Sequence, residues 1–230
     1  MSNLKNHGET ARIRRMPPHS YLIIGCGHFG SRAVETLLKK YPRSKIVVVD
    51  RHKKEFKNIS QLPVETKMGD GITYLKQFLS ESGNVDYIIP AVPFHFAFEF
   101  ILSQLKPLGA KRREVPPLLG LPNPMKGKSG DLYTSIADFL CPEDCPEPAQ
   151  YCTVTRERRE KPLYQILKEL KGPFESKVIR SKQLGLGVGG YLPGDLLKTV
   201  REIKKGGAPD RPILISTACR CHSVTSALSF

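Results

Sequence analysis

Two groups of residues in this chain have types and spacings that could do chemistry. The first is Gly25, Gly27 and Gly30, a G-x-G-x-x-G run placed directly after the apolar stretch 21–24. A glycine-rich turn between a strand and a helix leaves backbone N–H groups and the positive end of the helix dipole facing outward, which suits a pyrophosphate. Gly25 is expected to allow the tight turn, Gly27 to leave room for phosphate, and Gly30 to let helix and strand pack closely. The N–H groups from Gly27 through His28 and Phe29 are then the expected phosphate donors. Asp50, twenty residues beyond Gly30, ends a second apolar strand where such a unit places the acid that bonds the ribose hydroxyls. A carboxylate there repels a 2′-phosphate, so NAD is the expected cofactor. Arg51, Lys53 and Lys54 follow at once and would suit a 2′-phosphate, which keeps NADP as the less favoured choice.

The second group is sulfur. Cys141, Cys145 and Cys152 form a C-x3-C-x6-C run in a proline-rich stretch, and Cys219, Cys221 and His222 form C-x-C-H. Clustered thiols in a chain without a secretory signal point to metal or redox chemistry rather than to disulfides. An iron–sulfur cluster or zinc is the expected occupant, with these five cysteines as ligands and His222 as a replacement ligand. The spacing matches neither a zinc ribbon nor a ferredoxin run, so free cysteines or a Cys141–Cys145 disulfide stand as alternatives. Cys26, inside the glycine turn, is read as a packing residue.

His95 closes the segment Pro-Ala-Val-Pro-Phe-His after a fourth strand, at the sheet edge where open α/β folds bind ligands. It is the candidate proton-transfer residue, facing a nicotinamide or a substrate. The alternative is a histidine that only bonds locally at a helix start. Residues 185–190 carry four glycines and read as a flap or a second anion-binding turn, or as a plain connection.

The elements that must position these residues alternate. Strands are expected at 21–25, 45–50, 64–68 and 85–92, and helices at about 28–40, 72–79 and 94–105. In the first helix Phe29, Ala33, Val34, Leu37 and Leu38 recur at helical spacing. Strands alternating with helices at this pitch make a Rossmann-like, doubly wound, mostly parallel α/β sheet the expected fold. Beyond 105 repeated prolines interrupt regular structure. There a strand is expected at 118–121, a helix at 131–140, a helix at 162–171, a strand at 177–184, a helix at 195–205 and a strand at 212–218. These later strands are expected to extend the first sheet. The domain plan is a disordered basic tail at 1–18 and one domain over 19–230. That domain comprises a dinucleotide-binding half, 19–105, and an extension, 106–230, with a Pro/Cys-rich insertion at about 141–161.

The chain has 230 residues and a net charge of +14. Lys and Arg exceed Asp and Glu by 4 to 1 in residues 1–18, 12 to 8 in 19–110 and 20 to 13 in 111–230, so the excess is spread along the chain. No recognition helix or aromatic RNA-binding strand accompanies the short basic clusters, which argues against nucleic acid as a partner. No apolar run reaches the roughly 18 residues of a membrane span. The polar N-terminus lacks the apolar core of a signal peptide, so a cytoplasmic location is expected.

The combination Ile-Gly-Cys-Gly-His-Phe-Gly, Val-Val-Val-Asp and Gly69-Asp70 resembles the nucleotide-binding domain of TrkA-type potassium-uptake regulators (RCK domains) over about residues 20–105. The resemblance implies a Rossmann fold that binds NAD or NADH, with Asp70 beside the adenine. Two functions follow. The first is an NAD(H)-binding oxidoreductase with a cysteine-ligated iron–sulfur or zinc centre and an unknown substrate. The alternative is a non-enzymatic NAD/NADH sensor of TrkA type that acts on a protein partner or a second copy. A Rossmann fold with structural zinc and another nucleotide, such as a methyl donor, also stays open. Turnover separates the first two, because a sensor binds the dinucleotide without consuming it.

Overall fold

In the computed structural model, which describes residues 19–206 and 210–230, the chain begins with β1 (Ser20–Ile24). The expected basic tail, 1–18, lies outside the described residues. In β1 the side chains divide by parity, with Tyr21 and Ile23 in one buried layer and Leu22 and Ile24 in the other. Burial on both faces is why this strand reads as an unbroken apolar run. α1 (His28–Lys40) follows, burying Ala33, Val34 and Leu37. β2 (Lys45–Asp50), β3 (Glu65–Met68), α2 (Gly71–Ser80), β4 (Tyr87–Pro90) and α3 (Phe96–Leu105) complete the first half. The strand order is β3-β2-β1-β4 and every pairing is parallel. α1 packs on one face, while α2 and α3 pack on the other. This is an α/β Rossmann-like fold, with the glycine turn at the carboxyl end of the central strand.

The second half builds its own sheet instead of extending the first. It comprises β5 (Lys111–Arg113), β6 (Met125–Lys126), β7 (Leu132–Ser135), α4 (Leu163–Lys168) and β8 (Glu175–Arg180). The hairpin β9 (Lys182–Gly185) and β10 (Val188–Gly190) follows, then α5 (Pro193–Gly206), β11 (Ile213–Ala218) and β12 (His222–Ser229). The sheet order is β6-β7-β12-β11-β8, with β5 also paired to β12 and only β11–β8 parallel. One antiparallel bridge, Ile88 to Tyr191, ties the segment after β10 to the edge of the first sheet.

α3 explains how the two sheets form one core. Phe96, Ala97, Phe98, Phe100, Ile101, Leu102 and Leu105 are all buried, so the helix is apolar over most of its circumference, with Glu99, Ser103 and Gln104 on the remaining strip. Its side chains share a cluster with Leu22 and Ile24 of the first sheet and with Ile213, Ile215 and Leu228 of the second. A helix with so wide an apolar surface belongs between layers. On the far face of the second sheet Leu163, Leu167, Phe174 and Leu214 pack together around α4.

Besides the separate sheet, three local expectations fail in this half. Residues 118–121 form no strand. The segment 131–140 starts as β7 rather than as a helix, because Leu132 and Thr134 alternate inward against β12. The strand expected over 177–184 breaks at Ser181, whose N–H donates to the Ala218 carbonyl (2.8 Å) and turns the chain into the hairpin. No helix among the described residues is long and apolar enough to cross a membrane.

Candidate functional site

The glycine turn runs from the end of β1 into α1. Gly25 has φ +95°, a backbone state that side-chain-bearing residues avoid, and a Cβ there would lie 2.4 Å from the Ala91 carbonyl oxygen. A Cβ on Gly30 would lie 2.0 Å from the Gly25 carbonyl oxygen, so helix and turn meet backbone to backbone. Gly27 differs, because a Cβ there would meet no atom of the described residues within 4 Å. The space in front of Gly27 is open, and α1 begins there without a side-chain cap or an acid in its first turn. Its first N–H groups, at His28 and Phe29, have no intrahelical acceptor, and the helix dipole adds to their pull on an anion.

Asp50 is fixed at the mouth of this turn. One carboxylate oxygen accepts from the Cys26 N–H (2.7 Å) and the other from the His52 N–H (2.8 Å). Arg51, next in sequence, turns to Asp70, with Nε 3.1 Å from the carboxylate and Nη2 also in contact. Asp70 caps α2 by accepting from the N–H and the hydroxyl of Thr73 (2.8 and 2.9 Å). Burial acts to raise the Asp70 pKa, but the Arg51 guanidinium and the Thr73 donors outweigh it and hold the group below the usual carboxylate range. The residues present therefore fit a dinucleotide: an open cradle at a helix N-terminus, a positioned carboxylate, and a cation already committed to a neighbour.

The Pro/Cys-rich loop folds back toward this turn. Glu143 reaches His28 (Nε2 3.2 Å) and Arg32 on α1. The Cys145 carbonyl accepts from the Gln183 side chain (2.8 Å) and the Gly187 N–H (3.3 Å), which pins the loop to the β9–β10 hairpin. Gly187, at φ +69°, is required there, since a Cβ would lie 1.7 Å from the Glu143 carbonyl oxygen. A cavity of about 980 Å³ results, lined by Cys141, Cys145, Cys219, Cys221 and Arg159 and bordered by Phe29 of the glycine turn.

The five cysteines expected as metal ligands share a neighbourhood, but the ligand geometry is missing. Among the described residues, no three His, Cys, Asp or Glu side chains stand close enough together to hold a metal ion. All six cysteines are free thiols. The Cys26 Sγ donates to the Glu55 carbonyl (3.4 Å). The Cys219 Sγ accepts from the N–H groups of Cys221 (3.4 Å) and His222 (3.3 Å) in its own turn. The Arg159 guanidinium, which donates to the Pro148 carbonyl (3.0 Å), places a positive charge near Cys152, Cys145 and Cys221. Burial pushes the Cys219 thiol up to about 12 and Cys221 up to about 11. Cys152 goes the other way, to about 7, through the Thr155 N–H, against a smaller opposing effect of burial, with help from Val154, the Thr155 hydroxyl and Arg159. Cys26 is buried beside the turn, in keeping with a packing role.

His95 does not face solvent; it is 3% exposed. Its Nδ1 lies 2.8 Å from Ser226 Oγ and its Nε2 lies 2.8 Å from Thr217 Oγ1. Ser226 donates onward to Asp131, which pairs with Arg112 (2.7 Å), and Arg112 also meets Glu99. Burial pushes the His95 pKa down to about 3, so the ring is neutral. Asp131, Ser226 and Thr217 escaped the sequence reading because each lies more than 35 residues from His95 and carries no local motif.

Comparison with known proteins places these halves. A TrkA-N domain model matches residues 21–89. A family model described as "Uncharacterized protein, C-terminal domain" matches residues 97–230. A protein of Archaeoglobus fulgidus carrying the description "Uncharacterized protein" is 26% identical over 219 residues, covering 90% of this chain and 98% of the relative. The N-terminal region is thus a TrkA-type, NAD-binding Rossmann-like domain.

Proposed function

This chain belongs to the family of that C-terminal domain, and from that premise we propose that it is a non-enzymatic sensor of NAD and NADH. The dinucleotide binds across the carboxyl edge of the first sheet. Backbone N–H groups at Gly27, His28 and Phe29 hold the pyrophosphate, Asp50 bonds the ribose hydroxyls, and Asp70 with Arg51 flanks the adenine. The observation that carries this reading is the open space at Gly27 between two glycines that are closed to any side chain. Because Arg51 is tied to Asp70, it is not offered to a 2′-phosphate, which supports NAD over NADP. When bound, the dinucleotide supplies a ring that can carry or lack a hydride, and the chain's own residues grip and orient it.

Occupancy is passed on through Glu143. This carboxylate already sits against the first turn of α1 through His28 and Arg32. A pyrophosphate arriving there meets a like charge, so it pushes the 141–152 loop off the helix and alters the face shown to a protein partner. An oxidoreductase built on a metal centre draws no support from the donor geometry.

The test is calorimetry on the full chain with NADH, NAD and NADPH, followed by incubation under the same conditions. Saturable binding of NADH and NAD, weaker binding of NADPH, and unchanged absorbance at 340 nm over hours are expected. Gly27→Val, whose side chain enters open space, leaves the unfolding midpoint in place and abolishes binding. Absence of saturable binding overturns the reading, and steady consumption of NADH replaces the sensor by an enzyme.

A further inference from the structure

A second cavity, of about 440 Å³, lies on the other side of β1 from Asp50, at the carboxyl end of β4. Its walls are mostly apolar: Pro90, Val92, Pro93, Phe94, Tyr133 and Val224. Pro90, Val92 and Pro93 also wall a neighbouring cavity that Phe29 of the glycine turn lines. Two polar groups stand out. Tyr191 lines the cavity at 1% exposure, and among the described residues its phenol oxygen has no hydrogen-bond partner. A buried polar atom left unpaired in the unliganded protein is costly and rare. Thr217 lines the same cavity.

The direction of every hydrogen bond behind Thr217 is fixed by chemistry. Asp131, held ionised by Arg112, Ser129 and Ser226 against the opposing effect of burial, can only accept, so Ser226 donates to it. The Ser226 oxygen then accepts from His95 Nδ1–H. A neutral imidazole with its proton on Nδ1 has a lone pair on Nε2, so Thr217 spends its only proton there. Toward the cavity Thr217 therefore offers lone pairs alone. Tyr191, a phenol that burial keeps protonated, offers an O–H. Beside the Tyr133 phenol and the neutral His95 ring, the cavity thus presents a donor at Tyr191 and an acceptor at Thr217 between mostly apolar walls. No charged side chain among the described residues lines it.

We propose that this cavity receives an uncharged, flat ring bearing a carboxamide, its carbonyl oxygen accepting from Tyr191 and its NH₂ donating to Thr217. The source is the reduced nicotinamide half of the dinucleotide or a free ring amide such as nicotinamide. The first source rests on the dinucleotide reading above. With adenosine over β2 and β3 and the pyrophosphate at α1, the fold carries the other half over β4. An oxidised, cationic ring fits less well, because burying a charge without a counter-charge is unfavourable.

ADP-ribose, which lacks the ring, separates the two claims. Calorimetry of the full chain is expected to show NADH binding at least tenfold tighter than ADP-ribose, and tighter than NAD. Tyr191→Phe and Thr217→Val each weaken NADH about three- to tenfold, the range of one lost neutral hydrogen bond, and leave ADP-ribose unchanged. Tyr191→Phe removes an unpartnered oxygen, so its unfolding midpoint stays level or rises, and the near-isosteric Thr217→Val serves as the second probe. Free nicotinamide binding beside saturating ADP-ribose, and lost in Tyr191→Phe, assigns the site to the free amide. NADH no tighter than ADP-ribose, with no nicotinamide binding, overturns the proposal while the dinucleotide reading stands. If neither nucleotide binds, that reading fails and nicotinamide alone decides the cavity, its binding supporting the proposal and its absence overturning it.

Discussion

The glycine turn and the cysteine-lined cavity lie along the same edge of the molecule and share Phe29 as a border, yet they are built on opposite plans. The turn removes side chains: two of its glycines close the backbone on itself, and the third leaves space before free N–H donors. The cavity gathers side chains, and several are already spoken for: Cys219 by its own turn, Glu143 by His28 and Arg32. Readiness for a ligand is measured by what is left unpaired, and reactive residue types alone do not supply it. The third region, around Tyr191, makes the same point, since one phenol without a partner carries more information there than four thiols do.

The contrast breaks hardest at Gly30. Gly30→Ala drives a methyl into the Gly25 carbonyl, so thermal unfolding should show a loss of about 3 kcal/mol or more, with dinucleotide binding lost alongside. A wild-type-like midpoint there would mean that the turn is not closed backbone to backbone. Asp50→Asn sharpens the comparison next. It keeps the shape but removes the charge, so NADH affinity falls about ten- to hundredfold in a titration, as a charge-assisted hydrogen bond is worth roughly 1.5–3 kcal/mol.

How far each region could be read from sequence follows from the same difference. The turn was legible because its requirements are local: a φ of +95° at Gly25 and a carbonyl five residues before Gly30. The first sheet was legible because residues 21–24 and most of 46–49 are covered on both faces. The second half was not. β12 is rich in serine, and its strand character comes from pairing with β11, β7 and β5. The Asp131–Ser226–His95–Thr217 chain is assembled from contacts across 95 to 131 residues, which no local pattern encodes.

Smaller effects are expected on the sulfur side. Cys152, held near 7 and partly accessible, should react with iodoacetamide at a rate that climbs through about pH 7. Cys219 and Cys221, held near 12 and 11, should stay slow until far higher pH, as peptide mapping of the alkylated protein can follow. Three thiols titrating together would dissolve the distinction. The smallest effect belongs to the double variant Cys219→Ser/Cys221→Ser. Elemental analysis for zinc and iron should read the same as for the unaltered chain, and a stoichiometric metal lost on substitution would restore the ligand set that the geometry withholds.

The placement of α3 between the two sheets also sets a schedule for synthesis. Its apolar surface is complete by residue 105, but Ile213 and Ile215, which cover one side of it, come more than a hundred residues later. At translation rates of 5–20 residues per second, that surface waits roughly 5–20 s for its partner. A ribosome carrying this half-made chain therefore displays a sticky helix for many seconds. The nascent N-terminal half is a natural client for a chaperone rather than a domain that can be released early.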